Sequence, residues 1–213
     1  MTPTPSPNNS ELKSTSAPLP AIVLGSTSIY RKQLLDKLQL DFIQDKPEID
    51  ETPHSRESVQ KMVIRLAKGK AKVFQNQYSE HIIITSDQSA SFNGKPVGKP
   101  KDRTDAIRQL QDFSGQAVIF YTGLVVENTA TGNSYEYLDT TIVHFRELSL
   151  EVIENYIDRE QPLDCAGSFK SEGLGITLFE KIESRDPNAL IGLPLMALTD
   201  IFYQMGYALP RAL

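Results

Sequence analysis

A mixed α/β fold is what this sequence predicts, on three observations. A β-rich apolar run, AIVLG from Ala21, passes through Ser26, Thr27 and Ser28 into a helical pattern; a second run, HIIIT from His81, consists largely of branched residues; and two long β-type stretches are joined by the link TATGN. The first nineteen residues, MTPTPSPNNSELKSTSAPL, are rich in Pro, Ser, Thr and Asn and hold no apolar stretch. Residues 1–19 therefore read as a disordered tail, neither signal peptide nor membrane span. Residues 20–213 read as one folded domain, long enough to bury a core.

Along the chain, AIVLG is a buried strand ending on Gly25. Ser28 is placed to cap a helix over residues 29–38, in which Leu34, Leu35 and Leu38 share a face. DFIQD is a second strand, and PEIDETP a loop loaded with carboxylates between Pro47 and Pro53. A long helix follows, its apolar stripe running through Val59, Met62, Val63, Leu66, Val73 and Phe74. Lys70 falls on nearly the same face as Leu66 and Phe74, an unusual place for a lysine. HIIIT runs directly into Ser86, Asp87 and Gln88, which the pattern puts at the carboxyl end of the strand, where α/β sheets carry their sites. Asn93-Gly94 predicts a hairpin that ends in Gly98, Lys99 and Pro100. A helix over residues 104–113 stops near Gly115, and QAVIFYTGLVVEN with SYEYLDTTIVHFREL forms the longer hairpin. Ser149 opens a helix to about Arg159, QPLDCAGSFKSEGLGI has loop composition, and Pro194 starts a last helix with Leu195, Leu198, Ile201, Phe202 and Met205 inward and Gly206 as its stop.

Composition excludes several classes of function. The net charge is −5 and the lysines and arginines are scattered, so no surface for tracking long nucleic acid is expected. Cys165 is the only cysteine, which rules out an internal disulfide and a multi-cysteine zinc site and fits a reducing compartment, the cytoplasm. His54, His81 and His144 are too dispersed to suggest a metal triad, and no apolar run suggests a membrane partner.

A strand, then G-S-T-S, then a helix with Arg31 in its first turn is what a small-anion site needs, since free backbone amides and the helix dipole already point outward. Ser26 and Ser28 read equally as turn and cap residues. The spacing is not that of a Walker loop. Asp50 and Glu51 read either as hard-cation ligands or as solvated surface charge. Asp87, leaving the IIIT run, reads as a carboxylate with reduced screening or as a turn former. Lys70 and Lys99 taken singly read as lysines reaching for solvent.

Taken together, the order S-T-S-I-Y-R, D-E-T-P, a helix lysine, T-S-D-Q, G-K-P, F-Y-T-G-L and C-A-G-S-F-K-S-E-G resembles the Maf-like nucleotide pyrophosphatases, from about Ala21 to Leu209. The resemblance implies a central mixed sheet flanked by helices, two lobes around a nucleotide cleft, a divalent metal (Mg²⁺ or Mn²⁺) and a homodimer. It also implies cleavage of a nucleoside triphosphate between its α- and β-phosphorus atoms. Ser26, Arg31, Lys70 and Lys99 are then the expected phosphate-binding residues. Asp87 is expected as the base and Glu51 as second metal ligand or alternative base, both holding the cation and its water.

Within the family, Tyr30, Gln88 and Glu172 match the specificity positions of the subgroup acting on 7-methyl-GTP. Methylation at N7 leaves a positive charge on the guanine ring, which the Tyr30 face can stack on and Glu172 can complement, with Gln88 free to donate or accept. The chain departs from the family pattern in carrying Tyr30 where tryptophan is expected and Ile29 where proline is common. Activity on thymidine and uridine triphosphates, and a non-catalytic nucleotide-binding regulator of cell division, are the alternative readings. Cys165 is expected to pack beside the cleft and not to act as a nucleophile.

Overall fold

A computed structural model describes residues 18–211 of the chain. Residues 1–17 of the expected tail lie outside the described residues, and Leu19 packs against the first core. The strands are β1 (Ala21–Gly25), β2 (Phe42–Asp45), β3 (His81–Phe92), β4 (Lys95–Val97), β5 (Ala117–Asn128), β6 (Asn133–Phe145) and β7 (Phe179–Glu183). The helices are α1 (Ile29–Asp36), α2 (Val59–Phe74), α3 (Arg103–Phe113), α4 (Leu150–Glu160) and α5 (Leu195–Gln204). They form one seven-stranded mixed sheet of order β2-β1-β3-β5-β6-β7, with β4 paired to β3.

β1 is apolar on both faces because it is central, with parallel neighbours on each side and helices above and below. Its partner β3 does not end after HIIIT as the sequence pattern predicts. β3 continues to Phe92, because β5 goes on pairing with it, antiparallel, after β1 has left the sheet at Gly25. Asp87 is therefore mid-strand, yet it stands beyond the edge at which the parallel pairing stops, and a crevice opens there.

Ser28, Ser58 and Ser149 accept from backbone amides three residues on and nucleate α1, α2 and α4. α1 stops at Asp36, short of the expected Leu38, which still packs on the core. On α2 the buried set shifts from Val59, Met62 and Val63 toward Ala67, Ala71 and Phe74, which leaves Val73, expected inward, 38% exposed at the edge of the stripe. Asn93 and Gly94 adopt positive φ in the two-residue β3–β4 turn, as their identity predicts. β7 was not anticipated: FEKIE is short and charged, and it pairs only with β6 at the sheet edge, through a register shift at His144/Phe145.

Among the described residues four apolar clusters form, of which two are large. One gathers Ile22, Leu24, Leu35 and Ile84 with Leu198 and Phe202 of α5. The other gathers Leu110, Phe113, Phe120, Phe145, Ile157 and Phe169, several of its rings meeting edge to face. α2 lies close on the opposite face of the sheet. A Cβ at Gly123 would stand 2.8 Å from the Val63 carbonyl oxygen, and one at Gly25 would stand 2.6 Å from the Phe74 ring. Glycine at these two positions lets the α2 backbone approach the sheet and fixes the height of Lys70 above it.

Candidate active site

Strand alternation sorts the site residues. Ser86 and Gln88 point to the side of α5 and the 189–192 turn: the Ser86 hydroxyl donates to the Gly192 carbonyl at 2.8 Å, and Gln88 Nε2 donates to the Ala189 and Leu190 carbonyls at 2.8 and 2.9 Å. Thr85 and Asp87 point to α2. The Thr85 hydroxyl donates to the Ala67 carbonyl at 2.8 Å, and one turn along, Lys70 Nζ donates to Asp87 Oδ1 at 2.6 Å.

Lys70 is 7% exposed and Asp87 8%. The lysine does not reach for solvent, because a second carboxylate meets it: Glu51 Oε1, brought in by the PEIDET loop, lies 2.9 Å from the same ammonium. Burial pushes the Asp87 carboxyl above its ordinary range, more than the neighbouring Lys70 and Arg31 cations pull it down, and Glu51 adds to the rise.

The facing wall is the β1–α1 turn. Ser26, buried, accepts from the Ser28 amide at 3.1 Å and from Arg31 Nη1 at 3.5 Å. Arg31 is held from the other side by the Gly192 carbonyl, which accepts from Nε at 3.0 Å. Enclosure lowers the proton affinity of the guanidinium, and Asp87 and Glu51 oppose that shift; arginine stays charged in either case. The 186–192 segment that supplies Gly192 is itself anchored. Buried Asp186 accepts from the Met196 amide at 2.7 Å and so caps α5, whose Pro194 offers no capping side chain.

These walls enclose a cleft of about 830 Å³ lined by Ser26, Tyr30, Arg31, Glu51, Lys70, Asp87, Gln88 and Lys99. Lys99, just past β4, is exposed and has no ion pair among the described residues. An adjoining cavity of about 140 Å³ shares Ser28, Tyr30, Arg31, Gln88 and Lys99 with the cleft and adds Glu172, Phe120 and Phe169. All nine residues singled out in the sequence thus line one or the other of two joined cavities. Basic side chains gather at the larger, and Glu172 lies in the smaller.

One expectation changes. The Gln88 amide nitrogen donates to the Ala189 and Leu190 carbonyls and the Thr122 hydroxyl, so Gln88 is left with Oε1, an acceptor only, for a ligand. The site also contains residues the sequence reading did not select: Asp164, which accepts from the Tyr30 hydroxyl at 3.0 Å, and the Gly192 carbonyl that ties Arg31 to Ser86. Asp164 adjoins the C-A-G-S-F-K-S-E-G motif, which was its only signal, and a backbone carbonyl leaves none. Cys165 lines the smaller cavity, and burial with Asp164 beside it pushes the thiol up to about 12, so it is no thiolate near neutrality.

Glu51 and Asp87 bring two carboxylates together at Lys70 in the cleft; among the described residues no three His, Cys, Asp or Glu side chains gather as a protein-only cage. Among the described residues no helix is long and apolar enough to cross a membrane.

Residues 21–205 match the family described as Maf-like protein. A 7-methyl-GTP pyrophosphatase from Hydrogenovibrio crunogenus is 54% identical over 91% of this chain and 97% of its own length. A protein of the same name from Alcanivorax borkumensis is 52% identical over 90% and 97%. A HAM1 protein structure from Coxiella burnetii shares 14% identity with a TM-score of 0.45, covering 72% of this chain and 89% of that one, a likeness too distant to bear on function. With a match that spans the whole of the sheet and both walls of the cleft, the chain belongs to the Maf-like protein family.

Proposed function

We propose that this protein is a nucleoside triphosphate pyrophosphatase that hydrolyses 7-methyl-GTP to 7-methyl-GMP and pyrophosphate, clearing a modified nucleotide from the pool. The observation that carries the reading is the Lys70 ammonium set between Glu51 and Asp87, facing a cradle of Ser26 and Arg31 across one cleft. The names of relatives more than half identical over nine-tenths of the chain support the substrate.

In the reaction water adds at phosphorus, the anhydride P–O bond breaks, and the water's proton must be taken. Arg31, the Ser26 hydroxyl and Lys99 hold the phosphates. Lys70 adds positive charge on the opposite wall and opposes the rise that burial imposes on the Asp87 carboxyl. Asp87 accepts the proton on Oδ2, since Oδ1 is engaged with Lys70 and Asp87 lines the cleft.

The donor set fits a hard divalent cation. Two carboxylates with the substrate phosphates completing the shell is the usual arrangement for Mg²⁺, and Mn²⁺ accepts the same oxygens. Glu51 and Asp87 would hold the ion, which when bound neutralises phosphate charge and acidifies water. At the base end Tyr30 stacks on the cationic ring, Glu172 accepts from N1–H and the exocyclic amine, and Gln88 Oε1 accepts as well. The cytoplasm as the compartment and a homodimer as the assembly belong to this reading through the family.

The test is a panel of canonical and 7-methylated triphosphates with Mg²⁺ or Mn²⁺, reading kcat/KM and both products. The highest kcat/KM for 7-methyl-GTP, with 7-methyl-GMP and pyrophosphate formed one to one, is the expected result. Faster turnover of thymidine or uridine triphosphate would sink the substrate assignment.

A further inference from the structure

Asp164 stands where the two cavities join and lines both. Its Oδ2 accepts the Tyr30 hydroxyl at 3.0 Å, a contact between the first turn of α1 and a loop 134 residues further on. Its Oδ1 accepts from Cys165 Sγ at 3.4 Å and lies 3.9 Å from Lys170 Nζ. Lys170 is shared, since it donates to the Glu160 carbonyl at 3.1 Å and stands 3.9 Å from the Glu160 carboxylate as well. Asp164, its side chain 57% exposed, thus holds the Tyr30 hydroxyl with one carboxylate oxygen and faces Lys170 with the other at the cavity wall.

The two basic residues that line the smaller cavity, Arg31 and Lys99, line the larger one too, and Arg31 is turned toward Ser26 and Gly192. Glu172 and Asp164 bring two carboxylates to the smaller cavity, and Glu172 lines that cavity alone, whereas Lys70 lines only the larger one. A tyrosine ring is smaller than an indole and carries a hydroxyl that needs a partner. Asp164 supplies that partner and so holds the far end of the ring at the cavity wall.

We propose that Asp164 is a specificity-determining residue: it orients the Tyr30 ring through the phenol hydroxyl and, with Glu172, makes the base end selective for a cationic purine over a neutral one. This rests on the proposed nucleotide reading of the cleft.

Two measurements on wild type, Asp164→Asn and Asp164→Glu test it. Calorimetry with 7-methyl-GMP and GMP gives the base preference without turnover, and kinetics with the two triphosphates gives KM and kcat separately. Asn keeps an acceptor for Tyr30 and removes the charge, so 7-methyl-GMP should weaken about threefold or more relative to GMP. The loss should appear in KM more than in kcat and shrink in high salt, and Asp164→Glu should restore the preference. An Asn variant with the wild-type ratio of affinities, or one that weakens both ligands equally, overturns the proposal. A wild-type protein that binds 7-methyl-GMP over GMP but releases no pyrophosphate sinks the reaction and not the role of Asp164, which the affinity ratio still decides.

Discussion

Replacing Lys70 by methionine reads the site through stability alone. Lys70→Met keeps the apolar stem within the α2 face but removes the ammonium that meets Asp87 Oδ1 at 2.6 Å and Glu51 Oε1 at 2.9 Å. Lys70 and Asp87 are both more than nine-tenths buried, and loss of one partner from a buried pair costs about 3–5 kcal/mol. The pair lines an open cleft, which favours the lower end. The Glu51 side chain is 59% exposed, so its share is that of a screened surface pair, about 0–1 kcal/mol. The loss near neutral pH is therefore about 3 kcal/mol, or roughly 6–12 °C in Tm for a chain of this size.

The pH dependence separates this cause from simple loss of packing. Burial already holds the Asp87 carboxyl above its ordinary range, so the native state keeps that proton to higher pH than the unfolded chain does. Stability from such a group is present at low pH and is lost as pH rises from the ordinary carboxylate range through the raised native value. Lys70 is the largest influence opposing that rise, so its removal pushes Asp87 further up and deepens the loss over a wider window. The gap between wild type and variant should be about 3 kcal/mol near neutral pH and shrink steadily as pH falls toward the ordinary carboxylate range, where the variant's Asp87 keeps its proton. Urea unfolding followed by circular dichroism at several pH values measures it. A gap that does not change with pH, or no gap at neutrality, would refute the view that Lys70 compensates a buried carboxylate.

Asp87→Asn should abolish pyrophosphate release, by about 10²-fold or more, while the circular dichroism spectrum stays that of the wild type; retained turnover removes Asp87 from the role of base. In the wild type the acid limb of kcat/KM should lie above the ordinary carboxylate range, with activity lost as pH falls through the raised Asp87 value, and a pH–rate profile checks this. Tyr30→Arg should shift preference from methylated guanine toward pyrimidines, because a cation there repels the charged ring, and substrate ratios decide it. Gly123→Ala should cost about 1–3 kcal/mol and lower activity together, since its Cβ would press on the Val63 carbonyl and lift α2 with Lys70; thermal melts and pyrophosphate release measured on the same sample test the coupling.

Much of the fold was legible because local chemistry and burial agree along most of the chain. Ser28 and Ser149 cap helices that carry a buried stripe, and Asn93-Gly94 makes the turn its residues favour. The reading slipped where tertiary neighbours decide the outcome. HIIIT looks like a strand that ends at Thr85, because the next residues are polar. They remain in β3 since β5 offers hydrogen bonds as far as Ser91 and since their side chains point into a cleft and not into solvent. FEKIE shows neither a buried run nor a clean alternation, because its one neighbour is β6 and its other side is open. Val73 fits a fixed helical period, but the sheet beneath α2 does not hold the buried stripe to one line.

The site divides along the same physical boundary. Lys70 stands out in the sequence because a lysine on an apolar helix face is unusual, but its partners are not legible there: Glu51 and Asp87, expected as cation ligands, both meet its ammonium. Gln88 lines both cavities, but the engagement of its amide is not legible in the sequence, because the carbonyls of Ala189 and Leu190 that meet it lie a hundred residues away and carry no side-chain signature. Asp164 escaped for the opposite reason. An exposed aspartate in a loop is unremarkable until the fold brings a phenol hydroxyl to it, and here that hydroxyl belongs to the ring expected to face the base. Charge demand can thus be read from the chain, whereas the partner that satisfies it is a property of the sheet order.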